Sequence, residues 1–217
     1  MDSGITETRE RFPRREAHLT ELFLKAPFLR IKDPRAIVLK TIGSTQSYAM
    51  SEVKTQREGD IIIAAEQTEG KGREGRSWVS QRGGLWMTIV LTPPDSSILG
   101  QIPIMAAKAV VKTLFKYKAR AYVKPPNDVF CGPRKIGGVL ADSIVQGKES
   151  TVYLGIGVNV NNDVSEVPEI SQIATSLAAE IGGNTDLIKF TDALVRNIDA
   201  GYDQLVSGKS EVSANRS

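Results

Sequence analysis

The chain has 217 residues, 41% of them apolar and 24% charged, with 28 basic against 25 acidic side chains and a net charge of +3. That balance excludes a disordered chain, a collagen-like fibre and a coiled coil. The length gives one domain, or one with a small appendage, able to bury a core without a disulfide or metal staple. A single cysteine, Cys131, and a single histidine, His18, exclude an intrachain disulfide and Cys/His zinc sites and favour a reducing compartment.

Residues 1–35 are charged and irregular, with a short helical pattern from Leu19 to Lys25 closed off by Pro27 and Pro34. The first residues carry no apolar run of a secretory signal, and no apolar run approaches the ~20 residues of a membrane span. Ala36–Ile42 reads as a strand, rich in β-branched residues. Ser44 or Thr45 caps a helix running to about Val53. Asp60–Glu66 is a second, buried strand, and Leu85–Leu91 a third, ended by Pro93 and Pro94. Between these two strands, Thr68–Gly84 holds five glycines and four cations and reads as irregular. Pro103–Lys118 is a helix with Ile104, Ala107, Val111 and Leu114 on its inner face. Tyr122–Lys124 is a short strand. Ile136–Ser143 and Val152–Val160 are two strands joined by a turn at Gln146-Gly147. Two helices follow: one over Ser171–Ile181, stopped by Gly182-Gly183, and one capped near Thr185 that buries Leu187, Phe190, Leu194, Ile198 and Leu205. The polar tail from Ser207 reads as disordered.

Three loops carry residues suited to chemistry. In Gly70–Trp78, alternating glycines let the main chain approach a ligand, Lys71, Arg73 and Arg76 suit phosphate or carboxylate, and Trp78 offers a flat apolar wall. The same content fits a flexible charged surface hairpin equally well. In the second loop, Pro125-Pro126 stiffens the approach to Asn127 and Asp128, which suit a hydrated Mg²⁺ or the orientation of a neighbouring lysine. Lys135 stands at the head of an apolar strand, and Gly137 and Gly138 leave room beside it. A capped turn and a solvated strand-end lysine are the plainer readings of these residues. In the third, Gly155–Asn162, Asn159 is a polar residue in an apolar run and needs a partner in the core or in a ligand.

In combination and in this order, the loops resemble the catalytic domain of biotin–protein ligases. Gln67–Trp78 is similar to the family's QTxGRGRxGRxW loop and Ser44-Thr45-Gln46 to its S-T-N. Lys124–Asp128 is similar to K-W-P-N-D, Arg134–Gly138 to R-K-[LI]-[AG]-G, and Gly155–Asn161 to G-I-G-[IV]-N-V-N. Lys71 stands where the family has arginine, Gln46 where it has asparagine, and Pro125 where it has tryptophan.

The resemblance implies an α+β fold, a mixed, largely antiparallel central sheet flanked by helices, related to class II synthetases. Helices are expected on one side of the sheet and ligand loops on the other. It implies a catalytic domain over residues 36–206, after an N-terminal extension (1–35) and before a polar tail (207–217), with the family's C-terminal β-barrel and N-terminal DNA-binding domain absent. The implied reaction activates biotin with ATP, as a complex with Mg²⁺, and transfers it to a lysine of a biotin carboxyl carrier domain. Lys135 and Arg73 are the implied catalytic residues. Ser44, Thr45, Gln46, Gln67, Lys71, Gly72, Arg73, Trp78, Lys135 and Gly138 are the implied biotin contacts. Arg73, Arg76, Asn127, Lys135 and Asn159 are the implied nucleotide contacts, and Asn127 with Asp128 the implied Mg²⁺ ligands. The resemblance further implies a cytoplasmic protein with no DNA or membrane partner, and allows a homodimer. A lipoate or octanoate ligase of the same superfold, and a non-catalytic biotin- or adenylate-binding protein, are the competing readings.

Overall fold

The computed structural model describes residues 30–31, 35–52 and 56–208. The β-branched and apolar runs become strands β1 (Ala36–Leu39), β2 (Ile61–Ala64) and β3 (Leu85–Leu91). They are followed by β4 (Ala121–Lys124), β5 (Asp128–Cys131), β6 (Arg134–Gln146) and β7 (Glu149–Val158). These form one sheet in the order β1-β2-β3-β7-β6-β5-β4. Among the described residues only β1 and β2 run parallel; every other pair of strands is antiparallel, as the mixed, largely antiparallel expectation has it. Among the described residues four α-helices accompany the sheet: α1 (Thr45–Ser51), α2 (Ile102–Lys116), α3 (Leu177–Ile181) and α4 (Leu187–Ser207).

Because side chains alternate across a strand, one sheet face can be sealed while the other is left for a ligand. From β3, Leu85, Met87, Ile89 and Leu91 enter the main core, as do Val152, Leu154, Ile156 and Val158 from β7. There they meet Ile102, Ala106, Val110 and Leu114 of α2 and Phe190, Leu194, Val195 and Ile198 of α4. Asp186 starts α4 by accepting from the Ile188 and Lys189 amides, and Gly208 ends it in the left-handed region. On the opposite face a smaller cluster forms where Ala49 of α1 meets Ile62, Val90 and Tyr153. Helices therefore do not keep to one side: α1 shares the ligand face.

Several elements depart from expectation. β5 occupies a stretch read as loop; Val129 and Cys131 are buried on it, and the Gly132-Pro133 turn returns it into β6. β6 is longer than expected at both ends and β7 shifts towards their common turn, where Gly147 has φ 63°. The helix expected over Ser171–Ile181 keeps only Leu177–Ile181, capped by Ser176. The residues before it spend their main-chain groups on Lys135 instead: Lys135 N–H donates to Ile173 O (2.8 Å), and Thr175 N–H to Lys135 O (2.9 Å). The inner stripe of α2 runs through Ile102, Ala106, Ala109, Val110 and Thr113, so Ile104, expected inside, is 41% exposed. Small residues win that stripe because α4 packs close; a Cβ on Gly201 would meet the Met105 side chain at 2.9 Å. By length and hydropathy alone, Ser96–Lys116 could cross a membrane, but one face of it, with Ile102, Ala106, Val110 and Leu114, lies in the main core. The Leu19–Lys25 pattern and the tail beyond Gly208 lie outside the described residues.

Candidate active site

Three rows of residues cross the ligand face of β3, β7 and β6. The pairing sets Trp86, Gly157 and Gly138 in one row, Thr88, Gly155 and Leu140 in the next, and Val90, Tyr153 and Asp142 in the third. Gly138 and Gly157 leave a bare patch of main chain, and the Trp78 indole lies on it. A Cβ on Gly157 would fall 2.7 Å from Trp78 Nε1, and one on Gly138 would fall 3.5 Å from Cζ3. Trp86 holds the indole edge-on, with ring centroids 6.5 Å apart and planes at 69°. Trp78 Nε1 is buried without a hydrogen-bond partner among the described residues.

Lys135 reaches the same face by means of a β-bulge. Gly137 pairs with Val129 and Lys135 with Phe130, so Ile136 is an extra residue in β6. Strict alternation would put Lys135 and Gly138, three apart, on opposite faces. The bulge brings them together: a Cβ on Gly138 would lie 3.4 Å from Lys135 Cε. Ile136 meanwhile enters the main core. The Lys135 ammonium is 2.7 Å from Asp128 Oδ1 and 5.0 Å from the centre of the Trp78 ring, and about a quarter of the side chain is exposed. Charge partner and aromatic face hold the cation in one place while leaving it open to an anion.

The glycine loop is more ordered than its composition suggests. Trp78 N–H donates to Gly70 O (2.8 Å) and Gly72 N–H to Arg76 O (2.7 Å), with Lys71 paired to Ser77, forming a small hairpin. Its tip turns through Glu74 and Gly75, both in the left-handed region at φ 58° and 73°. Gly70 is required: a Cβ there would stand 2.2 Å from Trp78 O. Arg73 Nη1 donates to Asn127 Oδ1 (3.1 Å), which ties the loop to the rest of the site. Arg76 binds its own loop, at Arg73 O and beside Glu74, and Lys71 projects into solvent.

Beneath the opposite end of the site, the start of α1 supplies a polar floor. Ser44 Oγ caps the helix by accepting from Ser47 N–H. Gln67 Oε1 accepts from both the amide (2.8 Å) and hydroxyl (3.0 Å) of Thr45, while Gln67 Nε2 donates to Ser80 Oγ (2.8 Å). Thr88 Oγ1 stands 3.0 Å from Thr45 Oγ1 and 3.1 Å from Gln46 Oε1.

The two asparagines are less free than their sequence setting suggests. Asn127, 6% exposed, donates from Nδ2 to Val139 O while its Oδ1 faces Arg73. Asn159 donates to Thr175 O (3.1 Å) and accepts from Asn162 Nδ2 (3.0 Å). A metal ion fits Asn127 poorly, since its oxygen already faces a guanidinium, and Asp128 is matched by Lys135. Among the described residues no group of three His, Cys, Asp or Glu side chains is placed to hold a metal. A Mg²⁺ held at Asn127 and Asp128 would have to share their oxygens with Arg73 and Lys135.

All fourteen residues singled out in the sequence line one cavity of about 530 Å³: Ser44, Thr45, Gln46, Gln67, Lys71, Gly72, Arg73, Arg76, Trp78, Asn127, Asp128, Lys135, Gly138 and Asn159. The sequence reading missed Thr88, a lone hydroxyl in the run LWMTIVL, where its polarity was the available signal. It also missed the mouth formed by Glu169, Ile170 and Ile173, for which no signal existed: Ile173, 63% exposed, resembles any surface residue until the Lys135 pairing draws its segment over the site. The arrangement offers a fixed cation and a cationic hairpin at one end, a flat aromatic wall in the middle and hydrogen-bonding groups at the other. It can hold an anionic, amphipathic molecule against a second anion.

A family model described as the biotin/lipoate A/B protein ligase family matches residues 38–159. The chain is 36% identical to the bifunctional ligase/repressor BirA of Bacillus subtilis (strain 168) over 153 residues, 67% of this chain and 46% of that protein. It is 34% identical to the biotin–[acetyl-CoA-carboxylase] ligase of Paracoccus denitrificans over 140 residues, 61% of this chain and 58% of the relative. The chain thus spans about half the length of these curated relatives. Among solved structures, the biotin protein ligase from Aquifex aeolicus in complex with biotin and ATP superposes with a TM-score of 0.71 at 30% identity, covering 81% of this chain and 72% of that one.

Proposed function

Since the chain belongs to the biotin/lipoate A/B protein ligase family, we propose that it activates biotin with ATP and passes the biotinyl group to a lysine of a biotin carboxyl carrier domain, with residues 36–206 as the catalytic unit. The observation that carries this reading is the position of Lys135, whose ammonium is anchored to Asp128 at 2.7 Å and set over Trp78 within the common cavity.

In the first step a carboxylate oxygen of biotin attacks the α-phosphorus of ATP. The new O–P bond forms as the bond to the bridging oxygen breaks, and pyrophosphate leaves with that electron pair. In the second step the neutral amine of the acceptor lysine attacks the acyl carbon. The C–N bond forms, AMP departs and the amine loses a proton to solvent. The physical problem of the first step is to bring two anions into contact while charge grows on the phosphoryl oxygens. Fixed cations and main-chain donors solve it by position and electrostatics rather than covalent chemistry.

Lys135 stands between the two anions in this reading, and Arg73 and Lys71 close over the adenylate from the hairpin, shielding it from water. Arg76 and the remaining Nδ2 hydrogen of Asn159 face the nucleotide. Asn127 acts by holding Arg73, and Mg²⁺ arrives with ATP as part of the substrate. The Ser44 hydroxyl, Gln46 and the Thr45–Gln67 pair meet the polar ring of biotin, and Trp78 meets its apolar chain. In this reading the protein works in the cytoplasm, a reducing compartment that suits the free Cys131 and supplies ATP.

The test is direct. Wild-type protein with biotin and α-labelled ATP forms labelled biotinyl-5′-AMP, and excess lipoate competes poorly. Lys135→Ala slows adenylate formation by about 10²–10³-fold, the loss of one preorganised donor to developing charge. No adenylate from wild-type protein overturns the reading, and a Lys135→Ala protein of full activity overturns the role of that lysine.

A further inference from the structure

Asp142 lies on β6 behind the cavity, half-buried and outside every motif. Its Oδ2 accepts from Gln46 Nε2 at 3.0 Å, and the second Nε2 hydrogen is taken by Tyr153 O at 2.8 Å. An amide nitrogen has only two hydrogens, so both are spent and the orientation of the Gln46 amide is fixed. Gln46 Oε1 is then the end presented to the cavity. It is 2.6 Å from where a Cβ on Gly155 would stand, so the glycine provides the space that the amide head occupies. Among the described residues its hydrogen-bond donor there is the Thr88 hydroxyl, whose single proton can go to Gln46 or to Thr45.

We propose that Asp142 is a positioning residue: its carboxylate, with the Tyr153 carbonyl, aims Gln46 Oε1 into the cavity as an acceptor for a ring N–H of the substrate. Gln67 cannot take that role with its oxygen, which already accepts twice from Thr45. Gln46 Oε1 retains a lone pair, and Gln46 is 3% exposed, so water competes little for it. A cyclic urea supplies such an N–H; a simple fatty acid does not. Asp142 thus favours a ureido-bearing acid over a plain alkyl acid of similar length, because the latter leaves the second lone pair of the buried Gln46 Oε1 without a donor. This rests on the proposed function.

The experiment measures biotin and ATP binding by calorimetry and adenylate formation by steady-state kinetics, with octanoate as the acid lacking a ureido ring. Asp142→Ala raises the Kd and KM for biotin roughly tenfold, as expected for one positioned hydrogen bond. It leaves ATP affinity and kcat near wild type, and narrows the preference for biotin over octanoate. Asp142→Asn, which keeps an acceptor, restores biotin affinity to within a few-fold. If Asp142→Ala does not fold, Asp142→Thr, a good strand former too short to reach Gln46, carries the same expectation. Unchanged biotin affinity in the short variant, equal losses for biotin and ATP, or failure of Asp142→Asn to restore binding overturns the proposal. Wild-type protein that neither binds biotin nor forms adenylate overturns the proposed function instead.

Discussion

Gly157 shows how one missing side chain shapes the site. Any Cβ there meets the rigid indole of Trp78 at 2.7–2.9 Å, and an aromatic ring cannot bend away as a flexible chain can. Gly157→Ala is expected to cost about 1–3 kcal/mol by overpacking and to tilt Trp78 off the sheet. Denaturant unfolding reads the cost and tryptophan fluorescence reads the tilt; an unshifted emission spectrum with unchanged stability would refute the packing described. Legibility at this scale was high where chemistry is intrinsic to the residue. Lys135, Arg73 and Trp78 stand out by type and setting, and glycines inside a strand signal close approach. It failed for Asp142 and Thr88, whose polarity matters through Gln46 and Thr45, neighbours far away in the chain and set by the fold.

Elements carry a different lesson. Strand existence was readable from β-branched runs, but which face Lys135 occupies was not, because one bulged residue in β6 reverses the alternation that sequence reasoning assumes. β5 was hidden for a related reason: the prolines and glycine bounding Asp128–Cys131 signal turns, and four residues between two turns show too little periodicity to register as a strand. The helix cut back to Leu177–Ile181 lost its first turns to pairing with Lys135, a competition between local and long-range hydrogen bonds that no window of sequence contains. Caps, by contrast, act locally and predict well. Asp186 accepts from two amides at the start of α4, so Asp186→Ala is expected to lower stability by about 1 kcal/mol. The shift is read as a fall in Tm, with adenylate formation unchanged at temperatures below the transition. A fall in activity without a fall in Tm would contradict a purely structural role for this cap.

For the whole molecule, burial sets the alkaline limit. Burial pushes the Cys131 thiol up from 9.0 to about 11, with Glu180 adding to the shift and Arg134 opposing it. Burial foremost also raises the hydroxyls of Tyr117, Tyr153 and Tyr202. Between pH 9 and about 11 the unfolded thiol releases its proton while the folded one keeps it. Stability is therefore fully present below pH 9 and falls through that window, and the tyrosines extend the fall upward from pH 10. Melting curves from pH 8 to 11 should show this decline, and Cys131→Ala should flatten its first part; an identical slope in the variant would exclude the thiol as its source. The bare row at Gly138 and Gly157 has a broader meaning. Central strands ordinarily gain cohesion from both surfaces, yet here one surface has given up side chains so that the Trp78 indole can lie directly on the peptide groups and wall the cavity. Cohesion must then come from the reverse side, where Val139, Ile156 and Val158 are sealed in the core. Recognition and folding sit back to back on one hydrogen-bonded ladder, so the polar residues that face the guest can be altered for a new substrate while the main core behind them remains untouched.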